Sequence, residues 1–255
     1  MTILEEISKE ENKGSDELKT SFYKKRHENF RDNILSRFGK YKAAEISEDC
    51  IRYDYFHAAV QLGSVFERPL LEAWDGVNTY NYDSDDLVLE YPHPDKRYEG
   101  KKIDCVVMQL DAVASASGKD IYKPVDAVEL KFFPEIKSEG TAKTQHIASL
   151  IADFQRLRDA KKLGTRLVVL VAMNAMITYI ENPANGFSAL FSDDMCKIPV
   201  NMQEQTTFRK EFEKRTYKGI KLTPYTIERL FFDRRRLESG PNKDKEIVIA
   251  IYKIK

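Results

Sequence analysis

The sequence has no apolar run close to the roughly 20 residues that a helix needs to cross a bilayer. Its first residues are acidic and lack the basic and apolar regions of a secretory signal. The three cysteines, Cys50, Cys105 and Cys196, lie far apart in the chain, a pattern that does not indicate a disulfide framework. We therefore expect a cytoplasmic protein with reduced thiols and no membrane partner.

Several common metal and nucleotide motifs are also missing. The sequence has no GxxxxGK[ST] phosphate loop and no CxxC pair, so neither ATP-driven work nor a zinc site is indicated. Zinc-ligand spacing is also absent among the four histidines, which are His27, His57, His93 and His146. The 41 basic and 41 acidic residues balance, which argues against nucleic-acid binding through bulk charge alone.

What is present indicates a globular chain of 255 residues, 42% hydrophobic and 11% aromatic. This length suits one large domain, or a core with modest extensions. We predict a helical N-terminal extension over 1–52 and a core over 53–180. The remainder, 181–255, is predicted to be a C-terminal extension of helices and a strand, packed on the core.

Hydrophobic spacing predicts the order of the elements. Helices are predicted over about 16–37, 53–66, 141–163, 203–215 and 223–236. Strands are predicted over 87–91, 103–108, 127–133, 167–173 and 246–254. The run at 167–173 lacks polar alternation, which favours a strand buried on both faces, and the helix before it favours a crossover connection.

The most informative stretch is the strand predicted at 127–133, where Glu129 and Lys131 interrupt an apolar run. Side chains two residues apart on a strand point to the same face, so this acid and this base should lie side by side. Asp104 is the one acid of the preceding strand. If the two strands are neighbours, Asp104 and Glu129 form a magnesium site with an ammonium group at its rim.

This arrangement resembles the PD-(D/E)XK nuclease superfamily over residues 53–174, in element order, in the isolated Asp104 and in the strand-borne Glu129-Leu130-Lys131. The resemblance implies an α/β (α+β) fold with a restriction-endonuclease-like αβββαβ core, in which helices flank a central mixed sheet. Ile103 stands where the family's name has a proline.

The resemblance also implies roles for these residues. Asp104 and Glu129 would ligate Mg²⁺, with Mn²⁺ as a substitute and the Leu130 carbonyl as a further ligand. Lys131 would position the attacking water and offset negative charge in the transition state. The family's first helix carries another acid within a pattern of glycine, apolar residue, glutamate and apolar residue. Glu67 fits that pattern, with Glu72 as second choice.

Other positions have weaker support. Gln145, Asp153 and Arg156 lie on the helix after the core strands, where related nucleases place polar residues near the metal or the phosphate. A surface salt bridge between Asp153 and Arg156, three residues apart, explains that pair equally well. The stretch 208–236 has ten Lys or Arg against four Asp or Glu. It could contact a phosphate backbone, most strongly through Arg234, Arg235 and Arg236, or be a surface helix pair with ordinary salt bridges.

The sequence thus predicts a Mg²⁺-dependent nuclease that hydrolyses phosphodiester bonds in DNA. It would be a restriction-type or repair-type nuclease from a bacterium or a mobile element, and a homodimer if it cuts both strands. The alternative is a catalytically inactive module of the same fold that binds nucleic acid or a partner protein. A third alternative is a purely structural or interaction protein, in which Lys131 forms a buried ion pair with Glu129 or Asp104 that serves only structure.

Overall fold

A computed structural model describes residues 23–65, 85–110, 122–134, 140–198, 206–216 and 222–255. The helices are α1 (described over 23–40), α2 (Glu48–Val65), α3 (Gly140–Asp159), α4 (Asn174–Glu181), α5 (Ala189–Ser192) and α6 (Thr206–Arg215). The strands are β1 (Asp85–Pro92), β2 (Lys102–Leu110), β3 (Tyr122–Phe133), β4 (Thr165–Met173), β5 (Met195–Lys197), β6 (Thr226–Arg236) and β7 (Glu246–Ile254).

The seven strands of the described chain form one mixed sheet in the order β1-β2-β3-β4-β7-β6-β5. β3 and β4 run parallel and are connected through α3, while the other neighbouring pairs are antiparallel. The predicted crossover between these two strands is confirmed. The fold is therefore mixed α/β, as predicted from the alternation of helical and strand spacing.

Helices pack on both faces of the sheet and bury two separate apolar clusters. On one face, Ile147 and Phe154 of α3 and Phe212 of α6 pack against one side of the strands. On the other face, α1 and α2 contribute residues such as Ile34 and Ile51. Strand β4 supplies alternate residues to the two clusters and is buried on both sides, as its apolar run predicts.

The prediction of a helix over 223–236 is wrong, because these residues form strand β6 between β5 and β7. The register between β6 and β7 shifts between Arg229 and Phe231. This bulge interrupts the strict alternation of apolar and polar residues and leaves Ile227, Leu230 and Phe231 at helix-like spacing. Pairing with β7 on one side and β5 on the other decides the conformation.

The C-terminal residues complete the sheet, because β7 is hydrogen-bonded to β4 over Leu167–Met173. The predicted boundary between 52 and 53 falls inside α2, which begins at Glu48. None of the described helices is both long enough and apolar enough to cross a membrane.

Candidate functional site

The candidate site lies where strands β2 and β3 cease to pair. Their register begins at Cys105 and Val128, so the end of β3 extends beyond β2 and pairs with β4 on its other side. The Leu130 amide donates a hydrogen bond to Asp104 Oδ2 at 2.7 Å, and the Phe132 amide donates to Glu48 Oε2 at 3.2 Å. Two carboxylates therefore accept hydrogen bonds from β3 amides at the place where β2 no longer pairs with β3.

Glu129 and Lys131 lie on the same face of β3, as their spacing predicts. This face packs against α3. Their neighbours Val128, Leu130 and Phe132 belong to the apolar cluster on the opposite face. Glu129 and Lys131 are 1% and 5% exposed, respectively. A buried charge is costly unless it is paired, so their partners determine what this site can do.

Asp153 of α3 pairs with two cations and is fully buried. Its Oδ2 lies 3.0 Å from Lys131 Nζ, and its Oδ1 lies 2.9 Å from Arg156 Nη2. Both are ion pairs without the directional geometry of hydrogen bonds. The Asp153–Arg156 pair is therefore buried at the site, and its interpretation as a surface salt bridge is wrong.

Arg156 also binds Glu129, with Nη2 2.5 Å from Oε1. Burial raises the pKa of Glu129 well above its usual range, more than the neighbouring Arg156 lowers it. For Lys131, burial alone would lower the pKa, but Asp153 and Glu48 raise it above the usual value. Lys131 is thus held as a cation.

Asp104 is more accessible than Glu129 or Lys131, with 13% of its side chain exposed. Its Oδ1 accepts a hydrogen bond from Arg52 Nη2 of α2 at 2.8 Å. Asp104 also lies close enough to Glu129 to raise its pKa through charge repulsion. The two carboxylates expected to hold a metal thus interact through their charges, and each binds an arginine.

Glu48 and Arg52 are site residues that the sequence analysis missed. Glu48 Oε1 lies 3.2 Å from Lys131 Nζ, so the helix acid of the described site comes from the first turn of α2. Ser47 could have revealed it, because its Oγ accepts a hydrogen bond from the Cys50 amide. Serine followed by two acids is a typical start of a helix.

Two further contacts hold Arg156, one at its main chain and one at its guanidinium group. His93 Nε2 lies 3.0 Å from the Arg156 carbonyl oxygen, and Arg156 Nη1 donates to the Arg215 carbonyl oxygen at 3.5 Å. The first contact comes from the loop after β1 and the second from the end of α6. Arg156 therefore has contacts with the loop after β1, with the end of α6, with Glu129 on β3 and with Asp153 on its own helix.

The remaining predicted residues either take no part in this network of ion pairs or are not described by the structure. Glu67 and Glu72 fall outside the described residues, and Gln145 is exposed on α3. The arginines predicted to contact nucleic acid lie on β6 and are all ion-paired. The pairs are Arg234 with Glu181 and Glu246, Arg235 with Asp233, and Arg236 with Asp244.

The charged side chains of the site alternate in sign. Glu129, Arg156, Asp153, Lys131 and Glu48 form one continuous chain of ion pairs. In the part of the chain that the structure describes, no three Asp, Glu, His or Cys side chains form a ready-made metal-binding group. No protein-family model, curated protein or solved structure matches this chain.

Proposed function

We propose that this protein is a Mg²⁺-dependent nuclease with a restriction-endonuclease-like core that hydrolyses phosphodiester bonds in DNA. One observation carries the proposal. Where β2 and β3 separate, Asp104 and Glu48 accept hydrogen bonds from the β3 amides on either side of Lys131, and Glu48 also pairs with the Lys131 ammonium. Glu129 is linked to Lys131 through Arg156 and Asp153. The order α2, β1, β2, β3, α3, β4, with β3 parallel to β4, also supports it.

The donor atoms suit a hard divalent cation. Asp104 and Glu129 would hold Mg²⁺ through carboxylate oxygens, with the Leu130 carbonyl as a further ligand, and Mn²⁺ could take its place. Bound there, the metal would lower the pKa of the attacking water and polarise the phosphoryl group.

Lys131 would stabilise the negative charge that grows on the phosphate in the transition state. Glu48 and Asp153 hold its ammonium from two sides, so the group is oriented before substrate arrives. A cation fixed in a buried site costs no reorganisation during the reaction, which makes it more effective than a solvated lysine.

A second candidate function is a module that binds nucleic acid or a partner protein without cleaving it. It is favoured by the two arginines, because Arg52 and Arg156 already neutralise Asp104 and Glu129. In that case the ion pairs would stabilise the fold, and the carboxylates would hold no metal.

Cleavage of supercoiled plasmid and of single-stranded DNA in Mg²⁺ or Mn²⁺ tests the proposal. Lys131→Met should slow cleavage by about 100-fold or more, as expected for loss of one transition-state contact. Lys102→Met is the matched control, because Lys102 is exposed and pairs with Glu90. Equal rates in the two variants would exclude the role of Lys131, and tight DNA binding without cleavage would favour the second candidate.

A further inference from the structure

Both carboxylates assigned to the metal are occupied by arginines. Arg52 Nη2 lies 2.8 Å from Asp104 Oδ1, and Arg156 Nη2 lies 2.5 Å from Glu129 Oε1. These are contact distances of charge-assisted hydrogen bonds. A divalent cation at the same oxygens would lie next to two guanidinium groups and be repelled by both.

We infer that Arg52 and Arg156 are internal counter-ions that set the metal affinity of this site, because a divalent ion binds only when their guanidinium groups leave Asp104 and Glu129. The inference rests on the proposed function, since it concerns the same two carboxylates. It identifies two residues that determine the metal requirement of the proposed reaction.

Each arginine has another partner close by. If the arginine leaves its carboxylate, its own charge therefore does not become buried and unpaired. Arg52 Nη1 lies 2.8 Å from Asp49 Oδ1 and 3.2 Å from Glu90 Oε1. For Arg156, the other partners are Asp153 Oδ1 at 2.9 Å and the Arg215 carbonyl oxygen. Each arginine already holds these partners and can keep them when it leaves its carboxylate, which avoids the large penalty of an unpaired guanidinium.

Arginine suits this role better than lysine or histidine. A guanidinium stays charged throughout the pH range of a folded protein, so a change in pH does not remove the competing cation. Another cation at the carboxylates, or an anion that attracts the arginine, shifts the balance. Nucleic-acid phosphate is such an anion, so metal and DNA should strengthen each other's binding.

The two arginines differ in accessibility. The Arg52 side chain is 19% exposed and pairs with Asp49, which is 80% exposed. The Arg156 side chain is 10% exposed and lies between Glu129 and Asp153 in the chain of ion pairs. The Asp104 side of the site should therefore open first, and Arg52 is the better residue to change without unfolding the protein.

The test is calorimetric titration of the full chain with Mn²⁺ alone, in the absence of nucleic acid. The variants are Arg52→Gln and Arg156→Gln. Arg37→Gln is the matched control, because Arg37 forms a bidentate pair with Asp54 at 2.5 and 2.6 Å and its side chain is 24% exposed. This control also loses one arginine and one partly buried ion pair, but away from Asp104.

We expect Arg52→Gln to bind Mn²⁺ about ten-fold more tightly than wild type, within the usual range of coupling between competing ligands. Arg37→Gln should bind like wild type, and adding Asp104→Asn to Arg52→Gln should abolish the gain. If Arg156→Gln fails to fold, Arg52→Gln carries the test alone.

The outcomes separate the inference from the proposed function. Mn²⁺ binding by wild type with no gain in Arg52→Gln would overturn the inference and leave the metal site in place. Absence of Mn²⁺ binding to folded wild type and to every arginine variant would overturn both, because removing the competitor would not have created a site.

Discussion

The carboxylate of Asp153 lies 3.0 Å from the ammonium of Lys131, with side chains that are 0% and 7% exposed. Asp153 also contacts Arg156, so one buried acid faces two buried cations. Neither cation depends on it alone, because Lys131 also contacts Glu48 and Arg156 also contacts Glu129. Asp153 thus links the ammonium group of β3 to the arginine that holds Glu129.

Replacing Asp153 with Asn should destabilise the protein by about 3 kcal/mol, the lower end of the range for removing one partner of a buried ion pair. The cost stays at that end because both cations keep another carboxylate. Urea unfolding at neutral pH measures it. Asp32→Asn is the control, since Asp32 is 63% exposed and pairs with Arg31 at the surface. Similar unfolding midpoints for the two variants would contradict the buried network.

Asp104→Asn should weaken binding of Mg²⁺ or Mn²⁺ by about 100-fold or more, because a direct ligand matters at least as much as an outer one. The amide oxygen can still accept the hydrogen bond from Leu130, so the fold should persist. Calorimetry measures the affinity, and circular dichroism measures the fold. Asp194→Asn, which removes an exposed carboxylate paired with Arg229, should leave metal binding unchanged. Wild-type affinity in Asp104→Asn would remove Asp104 from the metal site.

His27 should make the protein sensitive to acid. Burial, reinforced by the neighbouring Arg26, lowers the pKa of His27 to about 3 from an ordinary value of 6.5. Below pH 6.5 the unfolded chain therefore takes up a proton that the folded chain does not, so stability is lost as the pH falls. At pH 4.5 the loss is about 2–3 kcal/mol.

His27→Leu should remove that part of the pH dependence while filling the space beside Phe231. Thermal unfolding between pH 4.5 and 7.5 gives the comparison, with His57→Leu as the control because His57 is exposed on α2. If His27→Leu loses as much stability on acidification as wild type and His57→Leu do, the pH effect belongs to other groups.

Gly240 should tolerate no side chain. It has a φ of +78°, and a Cβ there would lie 2.3 Å from the Gly39 carbonyl oxygen. The neighbouring Asn242 bonds the Ala43 amide and the Phe38 and Tyr41 carbonyl oxygens, so the loop between β6 and β7 is tied to the end of α1. Gly240→Ala combines a strained φ with a steric clash that this loop cannot easily relieve.

We expect Gly240→Ala to cost about 3 kcal/mol or more, from backbone strain and from overpacking together. Gly100→Ala isolates the strain, because Gly100 has a φ of +77° and open space around its Cβ position. It should cost about 1–2 kcal/mol. Chemical denaturation of both variants measures the difference, and equal losses would show that the approach to Gly39 is unimportant.

Local patterns predicted most of the core, because its elements have strong periodicity. The apolar run of β4 and the helical spacing of α3 each depend on a few neighbouring residues, and both appear where expected. The placement of Glu129 and Lys131 on one face follows from the two-residue repeat of a strand. By contrast, β6 has a bulge and pairs with distant β7, and no local pattern contains that information.

The partners of the predicted site residues could not be derived in the same way. Arg52 and Asp104 are 52 residues apart, and Glu48 and Lys131 are 83 apart. Only the packing of α2 across the end of β3 brings them together. Whether Asp153 and Arg156 face solvent or the sheet also depends on how α3 rotates on β3, which an i,i+3 spacing does not determine.

The most direct test of the central claim is cleavage of plasmid DNA by wild type and by Glu129→Gln in EDTA, and again after Mg²⁺ is restored. We expect wild type to leave the plasmid intact in EDTA and to nick or linearise it once Mg²⁺ returns. Glu129→Gln should stay folded but inactive. Equal cleavage by Glu129→Gln, or no cleavage of any DNA substrate by folded wild type in Mg²⁺ or Mn²⁺, would contradict the central claim.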